Sequence, residues 1–563
     1  MNKNFLLAFL MFNGILCAQS DIPQDVFIKP LKIPTVFAGT FGELRSNHFH
    51  SGLDIKTQHR TGLEVVASAS GYVSRIKVSH YGYGKALYIT HPDGHTTVYG
   101  HLSKYAPAIE AYVKEKQYLA ESYEIELFPN PDELQVTQGD LVAYSGNTGG
   151  SGGPHLHFEI RDKNERPMNA QLFGIQAPDH RDPVIKDLVV YPLADSSQVN
   201  QSQLQQKLNF TKQQDGTFLA EKIRAYGPLG FAVGTIDQQD GANNNNGIYA
   251  IETRLNGEKT LEVLMDKFSF AETRYLNRMI DYARYEGERE RVQKLFIERN
   301  NPLSIFKYEK DKGILNLTEN GSNAIYSIKI RDIQDNTTTL VIPIEIKKEE
   351  ILTPKIKKTT PYFVQADASQ NFEVGDWELF IPDGAFYDDY FLDISAKTDA
   401  LHLDEDLIPV HKYIRLAYDV SAFKPEDREK LFIGRVSYRG TLRYEGARLE
   451  GDQLTASVNA LGDFQIGLDT QPPKIQSLDF TDGKWISNHK TINFKITDED
   501  TGIKSYRATI NGNFALMEYE YKKNQLTYAF EDGISQSGAN DFKLIVTDNV
   551  GNSTTFEATF YRK

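Results

Sequence analysis

The chain has 563 residues, of which 40% are hydrophobic, 25% charged and 11% aromatic, and its formal net charge is −14. That length is too great for a single core and predicts several domains. Acidic and basic residues are mixed along the chain, so no nucleic-acid-binding patch is read, and no stretch beyond the N-terminus is long and apolar enough to span a bilayer.

The chain opens on a targeting pattern. Lys3 supplies positive charge, residues 5–16 form an apolar run broken by Asn13 and Gly14, and cleavage is expected after Ala18. Cys17, the only cysteine, follows Leu16 where a lipoprotein signal wants a small residue. Residues 1–18 are read as a signal peptide, and the protein is expected to be exported, with lipidation of Cys17 left open.

Nine of the 13 histidines lie between His48 and His157, so the chemistry is expected near the N-terminus. That region reads as β. Residues 72–78 alternate, residues 85–90 and 96–99 flank a turn with Pro92 and Gly94, and residues 141–145 lead into a glycine-rich run at 145–154. Residues 106–133 break the pattern. Residues 111–118 could be a short helix, and the segment is expected to form part of a groove wall.

Residues 155–160, His-Leu-His-Phe-Glu-Ile, carry the densest signal. Read as a strand, they put His155, His157 and Glu159 on one face and Leu156, Phe158 and Ile160 on the other. Upstream stand His50 and Asp54, four residues apart with Gly52 between them. Zinc in a catalytic site takes three protein donors, His and Asp among them, and activates water. His50, Asp54 and His157 are the candidate ligands of one zinc ion. His155 and His101, the latter just past Gly100 at a strand end, are the candidates for handling protons and charge beside it. Glu159 is either a ligand-orienting neighbour or a solvated strand residue. His48, His80, His91 and His95 are read as surface or groove-lining residues.

Beyond this region the chain repeats itself. Pro183-Val-Ile-Lys-Asp-Leu188 resembles Pro473-Lys-Ile-Gln-Ser-Leu478, Gly247-Ile248 matches Gly502-Ile503, and residues 332–338 match 548–554. Three matches in the same order predict two copies of one β-sandwich. The first copy is expected to carry a helical insertion over residues 275–298, and residues 352–469 form a further β-rich unit between the copies. Asp237 with Asp240, and Asp498 with Asp500, resemble loose calcium loops but lack EF-hand spacing and are read as turns.

His50-Ser-Gly-Leu-Asp54, Tyr99-Gly-His101-Leu-Ser, and the glycine run ending in Gly-Pro-His155-Leu-His157-Phe-Glu together resemble the LytM/lysostaphin-type zinc metallopeptidases, the M23 family. Residues 41–45 resemble the stretch before that family's first ligand. The resemblance covers residues 35–165. It implies an antiparallel β-sheet groove with zinc held by His50, Asp54 and His157, and His101 and His155 assisting water deprotonation and stabilising the oxyanion. It also implies an endopeptidase acting on peptidoglycan stems or crosslinks, in the periplasm or at the outer surface. The composition resembles that of Bacteroidota proteins. The alternative is a non-catalytic member of the same fold that binds wall or activates an amidase.

The expected fold is therefore mainly β, an N-terminal antiparallel β-sheet peptidase domain followed by three β-rich, β-sandwich or Ig-like domains. The expected boundaries are 19–176 for the peptidase domain, then 177–350, 351–469 and 470–563. A chain ending near Gln176 is expected to fold by itself.

Overall fold

The alternating residues His155–Arg161 form a strand inside a nine-stranded sheet. The computed structural model describes Ile22 and residues 25–563, so the signal-peptide reading and Cys17 lie outside the described residues. Seven strands make the main path of the sheet: β1 (Phe37–Gly39), β2 (Leu53–Lys56), β3 (Gly71–Val78), β4 (Lys85–Thr90), β5 (Thr96–Leu102), β6 (Ile125–Leu127) and β7 (His155–Arg161). They lie in the order β1-β2-β7-β5-β4-β3-β6, every pair antiparallel.

Burial fixes the register of β7. Leu156, Phe158 and Ile160 are fully buried in one core, each contributing roughly 1.5–3 kcal/mol relative to exposure. A slip of one residue would turn all three to the other face. With the register held, His157 lies opposite Asp54 on β2 and opposite Gly100 on β5.

Between β5 and β6 the chain forms helix α1 (Pro107–Ala120), longer than the expected short helix. Pro107 starts it with a preset φ, and Ile109, Val113 and Gln117 are its buried positions. Its contacts run to the C-terminal unit. Lys114 pairs with Asp532 at 2.5 Å, Tyr118 Oη donates to Asp532 at 2.8 Å, and Tyr118 meets the Phe514 ring at 5.9 Å. The segment expected as a groove wall is thus a docking face.

The rest of the chain is almost entirely β. Residues 184–346 build a thirteen-stranded sheet network around their own core. Two five-stranded sheets enclose Trp377 and its neighbours in the next unit, and a four-stranded and a five-stranded sheet enclose the last core, where Phe494 stacks on Phe542 at 4.9 Å. The fold is mainly β, as the composition and patterning led us to expect. The insertion expected over residues 275–298 is helical only in part. Its last helix stops at Glu288, where Arg289 turns left-handed with φ 60°, and Val292–Lys294 joins the sheet beside Ile223–Ile236. Buried Val292 and Leu295 suit that strand better than a solvated helix. Among the described residues no helix is long and apolar enough to cross a membrane.

The units interlock. Phe41 and Phe49, just before the first candidate ligand, are buried in the core of the 184–346 unit, with ring centroids 5.0 and 5.4 Å from Phe268. Leu516 of the C-terminal unit is buried in the core of the first sheet. A chain ending at Gln176 would strip Phe41 and Phe49 of that cover. Losing the packing of one such ring costs about 3–5 kcal/mol in comparable cores. The truncated chain is therefore expected to be insoluble or to melt well below the full-length protein. A cooperative thermal transition at the full-length temperature would show that the first unit folds alone.

Candidate metal centre

His50 and Asp54 arrive from the turn into β2 and from β2 itself, and His157 from the neighbouring strand β7. Asp54 Oδ1 lies 3.1 Å from His50 Nε2 and 2.9 Å from His157 Nδ1, and those two nitrogens are 3.2 Å apart. His50 is fixed through its other nitrogen, Nδ1, which donates to the Thr40 carbonyl at 2.7 Å. All three side chains are buried. Two imidazole nitrogens and one carboxylate oxygen therefore converge on one point, a donor set that zinc accepts.

His101 and His155 stand beside that point. His155 Nε2 is 3.3 Å from Asp54 Oδ1, and the His101 ring centroid is 4.7 Å from that of His155 and 5.9 Å from that of His157. Both are held by Nδ1, His101 on the Thr148 carbonyl and His155 on the Gly153 carbonyl, each at 2.8 Å. A carbonyl can only accept, so each Nδ1 carries a proton and Nε2 is the atom left for other partners, Asp54 in the case of His155. His101 has a left-handed backbone, φ 58°, which takes it out of the regular pleat of β5. Burial, then His157 and His155, push His101 down to about 3. The five residues singled out in the sequence thus meet in one place.

The four histidines read as surface or groove-lining do not join them. His91, expected at the surface or in a groove, is buried, with Nδ1 on the Ser70 carbonyl at 2.9 Å and Nε2 at Thr97 Oγ1 at 2.9 Å. His80 stacks on Tyr123 at 5.2 Å, and His95 pairs with Asp93 at 3.0 Å. His48 lines a cleft of about 740 Å³ together with Arg45 and Gly150, opposite Lys186, Arg289 and Arg291 of the following unit.

Residues 48–127 and 131–170 match the family model described as Peptidase family M23. This part of the chain is an M23 domain. Residues 361–469 match the model of a Zu5-like domain. The DD-carboxypeptidase/endopeptidase Mpg of Neisseria meningitidis serogroup B is 31% identical over 136 residues, 24% of this chain and 25% of that protein. An uncharacterized metalloprotease of Haemophilus influenzae is 32% identical over 127 residues, 22% of each chain. The catalytic domain of the antimicrobial peptidase lysostaphin from Staphylococcus simulans is 25% identical, with 24% of this chain and 87% of that one covered and a TM-score of 0.18. The chain spans about a quarter of the length of the curated relatives it matches.

In the M23 domain the ligand face of β7 continues inward. Glu159 is fully buried and accepts from His157 Nε2 at 2.8 Å, Ser51 Oγ at 2.7 Å, Tyr83 Oη at 2.5 Å and, on its other oxygen, Arg161 Nε at 2.7 Å. Burial works to raise Glu159, but Arg161 and then His157 hold it well below the usual carboxylate range. Burial likewise opposes charge on His157, yet hydrogen bonds to Asp54 and Glu159 hold it at about 9. Arg45 Nη2 donates to Asp54 Oδ2 at 2.6 Å and steadies that carboxylate from the other side. Ser51, Tyr83, Arg161 and Arg45 were not singled out as site residues in the sequence. Arg161 was detectable by the same alternation that marked Glu159. Tyr83 sits in a turn between strands, and nothing in the sequence points it at the site.

The glycine run is a third device. Gly149 has φ 70°, and a Cβ there would meet Gly84 N at 2.3 Å and Gly82 O at 2.4 Å, so only glycine lets the run lie against the 82–84 turn. Lys522 of the C-terminal unit closes over it, its Nζ donating to the carbonyls of Asn147 at 2.5 Å, Gly149 at 2.9 Å and Ser151 at 3.3 Å. The carbonyls that orient His101 and His155, those of Thr148 and Gly153, belong to this same run.

Two outcomes are expected. Glu159→Gln removes the charge behind His157 and should weaken zinc binding on the order of 10–100-fold, as loss of a ligand's outer partner does; an unchanged zinc dissociation constant would leave Glu159 a packing residue. Lys522→Ala should keep zinc but lower turnover on the order of 10-fold, because small misplacements of proton-handling groups are costly. Elemental analysis alongside kinetics on a small peptide separates the two, and wild-type turnover would mean that the glycine run holds its shape unaided.

Proposed function

We propose that this protein is an exported zinc endopeptidase that hydrolyses peptide bonds in peptidoglycan stems or crosslinks. The observation that carries the reading is the pairing of a His-Asp-His donor set with two further imidazoles whose Nδ1 protons are tied to backbone carbonyls. A purely structural metal site is closed by protein ligands and has no use for two further imidazoles beside it. His50, Asp54 and His157 would hold the metal. Bound there, zinc would supply a Lewis acid that polarises a peptide carbonyl and acidifies water.

This chain's residues do the rest. One of His101 and His155 takes the attacking water's proton at Nε2 and passes it to the leaving amine, and the other, entering the reaction protonated, donates from Nε2 toward the developing oxyanion. Arg45 and Glu159 keep Asp54 and His157 from turning away. The substrate class is supported by the name DD-carboxypeptidase/endopeptidase borne by a relative of the M23 domain, since bonds between D-residues are a feature of wall peptides. A cleft of about 740 Å³, within the usual range for ligand sites, opens beside Arg45, the residue that holds Asp54. Such a substrate lies outside the cytoplasm, in keeping with the signal-peptide reading and a periplasmic or outer-surface location.

The ligand assignment predicts that His50→Ala, Asp54→Ala or His157→Ala loses most bound zinc and all activity, as measured by elemental analysis and peptide release. Near-stoichiometric zinc in any one of them would remove that residue from the set. His101→Ala and His155→Ala should retain zinc while activity falls on the order of 10²-fold or more. Digestion of purified peptidoglycan, with products assigned by mass spectrometry, tests the substrate; intact muropeptide crosslinks and stems after prolonged incubation would sink the wall-hydrolase reading. Because His157 is held at about 9, zinc uptake at neutral pH should expel about one proton per ion. Calorimetry in buffers of different ionisation heat measures this, and a buffer-independent heat would mean His157 is already neutral.

A further inference from the structure

Two carboxylate clusters stand outside the zinc-ligand set, at matching places in the two repeated units. In the first, Asp179, Asp237 and Asp332 each bring an oxygen within 4.8 Å of the others; in the second, Asp469, Asp498 and Asp548 do the same. The scaffolds are alike bond for bond. Asp332 Oδ1 accepts from the backbone N of Gln334 and Asn336, and Asp548 Oδ1 from that of Val550 and Asn552. Asn336 Nδ2 donates to Asp332 and to the Asp179 carbonyl, as Asn552 Nδ2 does to Asp548 and to the Asp469 carbonyl.

The clusters differ in how their charge is met. In the C-terminal copy, Thr501 Oγ1 donates to Asp469 at 2.7 Å, and the backbone N of Thr501 and of Gly502 donate to Asp498 at 2.9 and 2.7 Å. In the first copy the central residue has one backbone donor, the N–H of Gln238, and one of its oxygens is left over. Asp237 is 6% exposed, and its Oδ1 has no hydrogen-bond partner among the described residues. Asn246, paired to Asp237 through the backbone and 4% exposed, likewise has a buried Oδ1 without a partner. Asp179, Asp237 and Asn246 line one cavity of about 20 Å³, room for a single ion or water. Two orphaned acceptors in a site with three carboxylates are costly unless a cation meets them.

We propose that Asp179, Asp237, Asp332 and Asn246 bind a divalent cation, calcium by the chemistry of the site. All the available donors are oxygens, with no nitrogen or sulfur, which suits a hard cation with flexible coordination. Burial, then Asp179 and Asp332, also push the Asp237 carboxyl up to about 7. Asp240, grouped with Asp237 in the sequence, stands outside the cluster and pairs with His180 at 2.7 Å.

The site lies where the M23 domain meets the next unit. Phe37, Thr40, Asn169 and Ala177 line the same cavity. Gln239, two residues past Asp237, accepts from Phe37 N at 3.1 Å and donates to Phe37 O at 3.0 Å, and Gly247 N, next to Asn246, donates to Thr40 Oγ1 at 3.0 Å. The Thr40 carbonyl is the one that orients His50. The cation would brace the loop on which the first zinc ligand leans, and the assignment stands whether or not the zinc site hydrolyses peptidoglycan.

The test uses the full-length protein, stripped of calcium and then equilibrated with millimolar calcium chloride. Bound calcium is counted by elemental analysis, and melting is followed with and without the ion. We expect one equivalent bound and a calcium-dependent rise in Tm, because a ligand that binds only the folded state stabilises it. Asp237→Asn should lose that equivalent and the rise, while Asp498→Asn in the C-terminal copy should keep both. The Asn substitution is isosteric and relieves repulsion, so the variant is expected to fold. Failure of the wild-type protein to take up calcium or to gain Tm would overturn the assignment, independently of any variant, and so would retention of the equivalent by Asp237→Asn.

Discussion

The site depends on one carboxylate oxygen. Asp54 Oδ1 lies within 3.3 Å of nitrogens on His50, His155 and His157, in a place almost closed to solvent. Polar groups in such surroundings are tolerated only when each atom has a defined partner. Much of the surrounding architecture meets that demand. Arg45 takes the second oxygen of Asp54, Thr40 takes the far nitrogen of His50, and Glu159 takes the far nitrogen of His157. Glu159 is itself a buried charge, and Arg161, Tyr83 and Ser51 answer it. The chain of partners runs outward until charge reaches the protein's margin, and it leaves the imidazoles little freedom to turn.

The same demand explains why the downstream units belong to the machine. The loop from β1 to β2 carries both Thr40 and His50, and it is pinned by Phe41 and Phe49 in the next unit's core. The glycine run carries the carbonyls that hold His101 and His155, and a lysine from the last unit grips it. Glycine gives that run the close approach it needs, but glycine also makes it pliable. An ammonium shared by three carbonyls offsets that pliability with contacts that form only when the chain folds back on itself. The repeated units thus serve two different ends. The first buttresses the loop that carries His50 and the last clamps the run that holds His101 and His155, although both are variations on one β scaffold.

The two copies show how a scaffold diverges. Their Asp and Asn frames are superposable in their bonding, down to the carbonyl of the aspartate ahead of the entry prolines. A threonine hydroxyl and two amides satisfy the carboxylates in the C-terminal copy. The first copy has a longer loop there, running from Asp237 to Asn246 and touching the M23 domain instead. A change in loop length altered which donors are present, and with them the chemistry that the cluster can support.

Local sequence pattern carries the mainly β character, the strand that presents His155, His157 and Glu159 on one face, and the identity of the five convergent residues. Those features depend on period-two alternation and on local spacing, which are written in neighbouring residues. It also disclosed the repeat, because Pro-led entries and Asp/Asn turns keep their order. It leaves Glu159 between two readings, puts His91 at the surface or in a groove where it is a satisfied buried histidine, and extends a helix through Val292–Lys294, which pairs with Ile223–Ile236. It treated the N-terminal unit as separable and Asp237 as a turn residue. The assembled fold settles these, since each turns on partners far away along the chain: Ser51 and Tyr83 around Glu159, Phe268 around Phe41 and Phe49, Lys522 on the glycine run, Asp179 and Asp332 beside Asp237. Burial and partner supply are properties of the assembled chain, and no local pattern encodes which distant residue will bring the hydrogen bond or the charge.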